Sequence, residues 1–235
     1  MEIKILYDNR TKDNFNAGWG FSCLINSNIL FDTGESADPL LRNLKKMDIK
    51  VNDIESIIIS HDHWDHTGGL WKMLEQKPDR KVYACPHFSH IFKNKVIHFK
   101  ADLIEVDKFK QISRNIYLTG EIEGMYKLST IAEQALVIKT KKGLTVITGC
   151  AHPGIINIVE HVKRNLTDDI HLVMGGFHLM NNSQDEVIDI IEKFRQYNIT
   201  FVGPCHCTGE EAITLFKKEY KDHFIDIRAG EIIQV

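Results

Sequence analysis

The chain has no apolar run of the ~20 residues that a membrane-spanning helix needs. Its opening, MEIKILYDNR, also lacks the apolar core of a signal peptide. Basic residues are not in excess: 29 Lys and Arg stand against 32 Asp and Glu, a net charge of -3. That leaves no positive footprint for a nucleic-acid backbone. The basic stretch at 93–100 reads as solvated surface. The five cysteines (Cys23, Cys85, Cys150, Cys205 and Cys207) are odd in number and irregularly spaced. This argues against a disulfide framework and suits a reducing cytoplasm. No repeat, low-complexity tract or Pro/Gly/Ser-rich linker divides the sequence. Residues 1–235 therefore read as a single domain, long enough to bury a sizeable core.

What the chain does have is histidine, 12 in all, and many of these lie in short polar motifs. The periodicity predicts strands over 2–8, 20–25 and 28–32, a helix over 37–47 and a buried strand over 54–60. The second half repeats this grammar. A hairpin is predicted over 135–140 and 144–148, then a helix over 153–164 with Pro153 in its first turn. Strands at 170–174 and 200–202 alternate with helices at 184–197 and 210–218, and a last strand is expected at 224–227. Polar motifs thus recur at strand ends, where open α/β architectures place their chemistry.

The most informative stretch is Ser60-His61-Asp62-His63-Trp64-Asp65-His66-Thr67-Gly68-Gly69. On an extended backbone His61 and His63, two residues apart, point the same way. Asp65 and His66 follow where the chain turns into a helix and face a second point. Imidazole and carboxylate are donors that suit zinc, iron or manganese.

This stretch resembles the signature of the metallo-β-lactamase superfamily, and the later motifs follow in that family's order. Phe31-Asp32-Thr33-Gly34, Gly149-Cys150-Ala151-His152-Pro153-Gly154 and Pro204-Cys205-His206-Cys207-Thr208-Gly209 are similar to its other strand-end motifs. The resemblance implies an α/β fold, a four-layer αββα sandwich of the metallo-β-lactamase type with metals at one edge. It also implies one or two divalent transition-metal ions, zinc foremost, with iron or manganese also suited. His61, His63 and His152 would hold the first ion; Asp65, His66 and His206 would hold the second. Asp32 would fix a ligand or a water by hydrogen bonding.

The chain departs from the family in one place. The superfamily usually supplies a bridging aspartate between its third and last motifs. Here the strand at 170–174 runs into Gly175-Gly176-Phe177-His178-Leu179, and Asp168 and Asp169 precede it. His178 then either binds one metal at or near the bridging position, hydrogen-bonds to substrate, or is a polar residue beside the site. With Asp65 it is the candidate catalytic residue. Cys150, Cys205 and Cys207 flank the motif histidines; cysteine binds zinc, but packing at strand ends is the favoured role.

With Asp65 as the one anionic ligand, a two-metal site stays electropositive and favours a phosphorylated or otherwise anionic small molecule. A bound ion lowers the pKa of water from about 15.7 to roughly 7. A hydrolase using a metal-bound hydroxide then needs no serine or cysteine nucleophile. Trp19-Gly20-Phe21-Ser22, residues 175–179 and residues 206–209 resemble a subgroup often named 7,8-dihydropterin-6-methyl-4-(β-D-ribofuranosyl)aminobenzene-5'-phosphate synthases. That resemblance offers a second reading, transfer of a pterin methyl group from its diphosphate, with Trp19, Trp64 and Phe177 as stacking candidates. A non-hydrolytic diiron redox or metal-binding protein is the third.

Overall fold

A computed structural model describes all 235 residues. The chain forms two compact units, one of Met1–Asp107 with Arg228–Val235 and one of Lys108–Ile227. The first unit runs β1 (Glu2–Tyr7), β2 (Ser22–Ile25), β3 (Ile29–Phe31), α1 (Ala37–Lys46), β4 (Ser56–Ile58), α2 (Trp64–Thr67), α3 (Leu70–Gln76), β5 (Lys81–Ala84), α4 (His90–His98) and β6 (Asp102–Glu105). The second runs β7 (Lys110–Ser113), β8 (Ile116–Leu118), β9 (Ile122–Tyr126), β10 (Ser129–Glu133), β11 (Leu136–Thr140), β12 (Gly143–Thr148), α5 (Ile155–Asn165), β13 (Ile170–Gly176), α6 (Gln184–Gln196), β14 (Phe201–Cys205) and α7 (Glu210–Tyr220). The chain then returns to the first unit for β15 (Ile232–Gln234).

The first unit's sheet is ordered β15-β1-β2-β3-β4-β5-β6 and the second's β14-β13-β12-β11-β8-β7, with β9 and β10 a separate hairpin. Antiparallel pairing gives way to parallel pairing from β3 to β6 in one sheet and from β12 to β14 in the other. Parallel neighbours end at the same edge, so the loops after β3 and β4 lie side by side, as do those after β12, β13 and β14. Open α/β sheets bind ligands beyond these carboxyl ends.

Helix periodicity builds the second unit's core. Ile155, Ile158, Val159 and Val162 of α5 form one stripe, which packs with Val187, Ile191 and Phe194 of α6, Phe216 of α7, and Val146, Val173 and Val202 of the strands. Each such buried side chain contributes about 1.5–3 kcal/mol. A capping box between Ser183 and Glu186 starts α6 at the position expected from the sequence.

Two expectations are corrected. Pro153 lies outside α5, because Gly154 caps the helix with φ at 89° and turns the chain just before it. Residues 224–227 are not a strand: Phe224 makes a single bridge to Val202, with Ile225 N–H donating to the Val202 carbonyl at 2.8 Å. The final strand is β15, paired antiparallel with β1. No helix is long and apolar enough to cross a membrane.

Candidate metal centre

In the first unit a single buried carboxylate organises the histidine loop. Asp32 follows β3 in the left-handed region, φ 55°, a conformation that Asp tolerates better than most residues. Its Oδ1 accepts the Ser60 N–H at 2.7 Å, and its Oδ2 accepts both the Ser60 hydroxyl and His66 Nδ1–H, each at 2.7 Å. A carboxylate only accepts, so His66 must carry its proton on Nδ1. The Ser60 hydroxyl donates to Asp32 and so accepts from His61 Nδ1–H at 2.9 Å. Asp32 therefore sets both tautomers, one directly and one through Ser60, and each imidazole is left with Nε2 as its metal-binding atom.

The two aspartates of the motif are sorted by position. Asp62 accepts the Ser89 N–H at 2.7 Å and holds the start of α4. Asp65, in α2, stands with its Oδ2 3.9 Å from His66 Nε2. Ligand atoms of His61, His63 and Asp65 lie within 4.8 Å of one another. Around a tetrahedral ion with 2.0–2.1 Å bonds, donors stand roughly 3.4 Å apart. Small side-chain shifts would close this set on a divalent ion, and its nitrogen and oxygen donors suit zinc, iron or manganese.

Close backbone packing fixes α2. Thr33 donates both its N–H and its hydroxyl to the His66 carbonyl, at 2.9 and 2.7 Å, and Gly68 N–H donates to the Gly34 carbonyl at 2.9 Å. A Cβ on Gly68 would stand 1.8 Å from the Glu35 carbonyl oxygen. Gly68→Ala should accordingly cost about 1–3 kcal/mol through backbone displacement, read as a lower urea midpoint. An unchanged midpoint would mean that this loop has slack.

In the second unit the histidines follow three adjacent parallel strands: His152 after β12, His178 after β13 and His206 after β14. Ala151, His178 and His206 all adopt left-handed backbone, φ 62°, 56° and 50°. Strained conformations of this kind collect where surrounding structure holds them. Glu133, wholly buried at the end of β10, does the holding at the first loop. Its Oε1 accepts the N–H groups of Cys150 and Ala151 at 2.9 and 2.7 Å, and its Oε2 accepts that of His152 at 2.7 Å. His152 and His178 then lie with ring centroids 4.3 Å apart. A cleft of about 290 Å³ opens beside them, lined by Gly154, Ile155, Asn157, Asn182 and others.

The three aromatic candidates part company. Trp19 Nε1–H donates to Asp65 Oδ2 at 2.9 Å, orienting that carboxylate. Trp64 is 62% exposed. Phe177 is 1% exposed and packs against Phe194 and Phe216, so its ring belongs mainly to the core beneath the cleft it helps to line. Asp168 pairs with Lys139 at 2.7 Å, at the end of β13 away from the histidines. Two residues that matter here, Ser60 and Glu133, were not singled out by sequence reasoning. For Glu133 the signal was a lone carboxylate in the apolar run Ile131-Ala132-Glu133-Gln134-Ala135.

Residues 22–206 match the metallo-β-lactamase superfamily. The chain is 31% identical to the 7,8-dihydropterin-6-methyl-4-(β-D-ribofuranosyl)-aminobenzene-5'-phosphate synthase of Methanocaldococcus jannaschii, over 89% of this chain and 85% of that one. An uncharacterised protein of the same organism is 31% identical over 99% of this chain and 100% of its own. The crystal structure of Tm1679, a metal-dependent hydrolase of the β-lactamase superfamily, shares 32% identity at a TM-score of 0.86 and covers 100% of this chain and 99% of that one. With its motifs in that family's order, each at the end of a strand, the chain belongs to the metallo-β-lactamase superfamily.

Proposed function

We propose that the protein is a metal-dependent hydrolase of an anionic, phosphorylated small molecule. The observation that carries this reading is the cleft beside His152 and His178. It takes in the start of α5, where Gly154 is the N-cap and no side chain caps the helix. The first N–H groups of a helix have no partner within it, and the helix dipole adds partial positive charge there. A phosphate is the group those N–H groups favour, in a cleft whose remaining lining is largely apolar, from Ile155, Ile156, Leu179 and Ile190.

On the pattern of the superfamily, His61, His63, Asp65 and His66 of the first unit and His152 and His206 of the second would be the metal ligands, zinc being the first choice. A bound divalent ion supplies an acidified water and neutralises charge on the attacked group. The chain's own residues do the rest. Asp32 keeps protons on Nδ1 of His66 and, through Ser60, of His61. Trp19 keeps Asp65 in place. The buried carboxylates Asp32 and Glu133 are occupied by donors, which leaves Asp65 as the one anion among these ligands and favours an anionic substrate.

The test is turnover of a chromogenic phosphodiester by protein of known metal content, with and without chelator. Chelator-sensitive turnover that His63→Ala abolishes is expected. Far better turnover of neutral esters or lactones would sink the reading.

A second reading, joining a pterin methyl diphosphate to ribofuranosylaminobenzene 5'-phosphate, draws on the relative named for that reaction. The exposed indole of Trp64 favours it, because its free face suits a flat heterocycle. If metal-loaded protein leaves phosphodiesters untouched, diphosphate release from the joined substrates is the assay that decides it.

A further inference from the structure

The three strand ends of the second unit bring together more than histidine. Cys150 follows β12, His178 follows β13 and Cys207 follows β14, one residue from each of three adjacent parallel strands. Their Sγ, imidazole nitrogen and Sγ atoms all lie within 4.8 Å of one another. Neither cysteine is in a disulfide, and both are buried, Cys150 at 4% and Cys207 at 7% exposure. His178 is exposed, so the group has one side open to solvent.

The backbone makes room for this group. A Cβ on Gly176 would stand 2.7 Å from Cys207 Sγ and 3.2 Å from Cys150 Cα, so only glycine lets the sulfur sit there. Cys207 Sγ donates to the Cys150 carbonyl at 3.6 Å, and Gly176 N–H donates to the Gly149 carbonyl at 3.2 Å. These contacts hold the first and third loops against the second. Two sulfurs and an imidazole on separate elements form the donor set of a thiophilic ion.

We propose that Cys150, His178 and Cys207 form a soft-metal position that holds a d10 ion of the zinc and cadmium class through two thiolates and one imidazole. With Zn–S near 2.3 Å and Zn–N near 2.0–2.1 Å, donors around such an ion stand roughly 3.4–3.8 Å apart. The donors, each within 4.8 Å of the others, would close to that spacing by side-chain adjustment. Binding requires both thiols to lose their protons, so two protons leave as the ion enters and the site's charge falls by two relative to an all-histidine set. This position goes beyond the proposed hydrolysis, because it involves cysteines that the reading does not use.

The experiment is cobalt titration of the metal-free full chain, followed by absorption. Wild type should develop near-ultraviolet sulfur-to-cobalt charge-transfer bands alongside the visible ligand-field bands. Cys150→Ser and Cys207→Ser should each weaken the charge-transfer bands, and the double change should remove them while keeping ligand-field absorption from histidine and carboxylate sites; Cys23→Ala, altered within β2, should keep both. Ligand-field bands without charge transfer in wild type, or charge transfer that survives both Cys150→Ser and Cys207→Ser, would overturn the proposal and leave the histidine metal centre standing. Failure of wild type to bind cobalt at all would overturn both. Should the serine variants not fold, cadmium-113 resonances of wild type decide the matter. A strongly deshielded, thiolate-range signal supports the sulfur ligands, and signals confined to the nitrogen and oxygen range refute them.

Discussion

Asp32→Asn should fold normally and bind metal about 10- to 100-fold more weakly. Asparagine tolerates the left-handed backbone at this position and matches aspartate in shape, so the change is confined to hydrogen-bonding character. Its one oxygen can still accept the Ser60 N–H. Its amide nitrogen then faces the Ser60 hydroxyl and His66 Nδ1, where the wild-type carboxylate accepts at 2.7 Å from each. An amide N–H pointed at Nδ1 forces the proton of His66 onto Nε2, the atom the metal needs. The Ser60 hydroxyl must turn as well, and His61 loses the partner that set its tautomer. Asp32→Ala adds a stability loss of about 2–5 kcal/mol, because buried donors lose their acceptor. Metal content after dialysis against a graded chelator series separates the two effects. Wild-type affinity in a folded Asp32→Asn protein would show that the tautomers are set by the metal alone.

The second large effect is expected at Glu133. Its carboxylate accepts three consecutive N–H groups, and all three are buried with it. Glu133→Ala leaves these donors without an acceptor, at about 1–3 kcal/mol each. Even with partial relaxation, the total of roughly 3–6 kcal/mol is a large share of the 5–15 kcal/mol typical of a folded domain. Glu133→Gln is the readable variant. Its oxygen can keep the Cys150 and Ala151 N–H groups, but its NH₂ meets the His152 N–H donor to donor. A loss of about 1–3 kcal/mol should come with weaker metal binding, since the displaced residue is a candidate ligand. Chemical denaturation of the metal-free and metal-loaded protein distinguishes the two terms. Equal midpoints for Glu133→Gln and wild type in both forms would mean that the loop finds another acceptor.

The parts of the fold legible in sequence are those whose side chains face a core on a regular period. The helices α1, α5, α6 and α7 and the strands β4 and β13 carry apolar stripes or β-branched runs and stand close to their expected bounds. Between β5 and β10 the sequence predicts no helix or strand. Strands β6 and β7 are partly or fully exposed along their length, so their pairing is a matter of backbone and leaves no apolar pattern. At the candidate site the histidines were legible because imidazoles at short spacing after a strand are rarely accidental. Their supports were not. Glu133 acts on N–H groups 17 to 19 residues away, which no local pattern encodes. Phe177, a stacking candidate from its place in the motif, and its neighbour His178 face opposite ways at the strand end, one into the core and one into solvent.

The pairing of β1 with β15 has a consequence for how the chain matures. The register joins Glu2 to Gln234, residues 232 positions apart. A nascent chain emerging from the ribosome therefore cannot complete this sheet until residues 232–234 are out, although β1 to β6 are made early. Until then β1 presents an unpaired edge, and edges of this kind recruit strands from other chains. Closing so long a loop is entropically slow, which makes the missing strand a late folding event. Aggregation during expression should therefore depend on the integrity of residues 232–234.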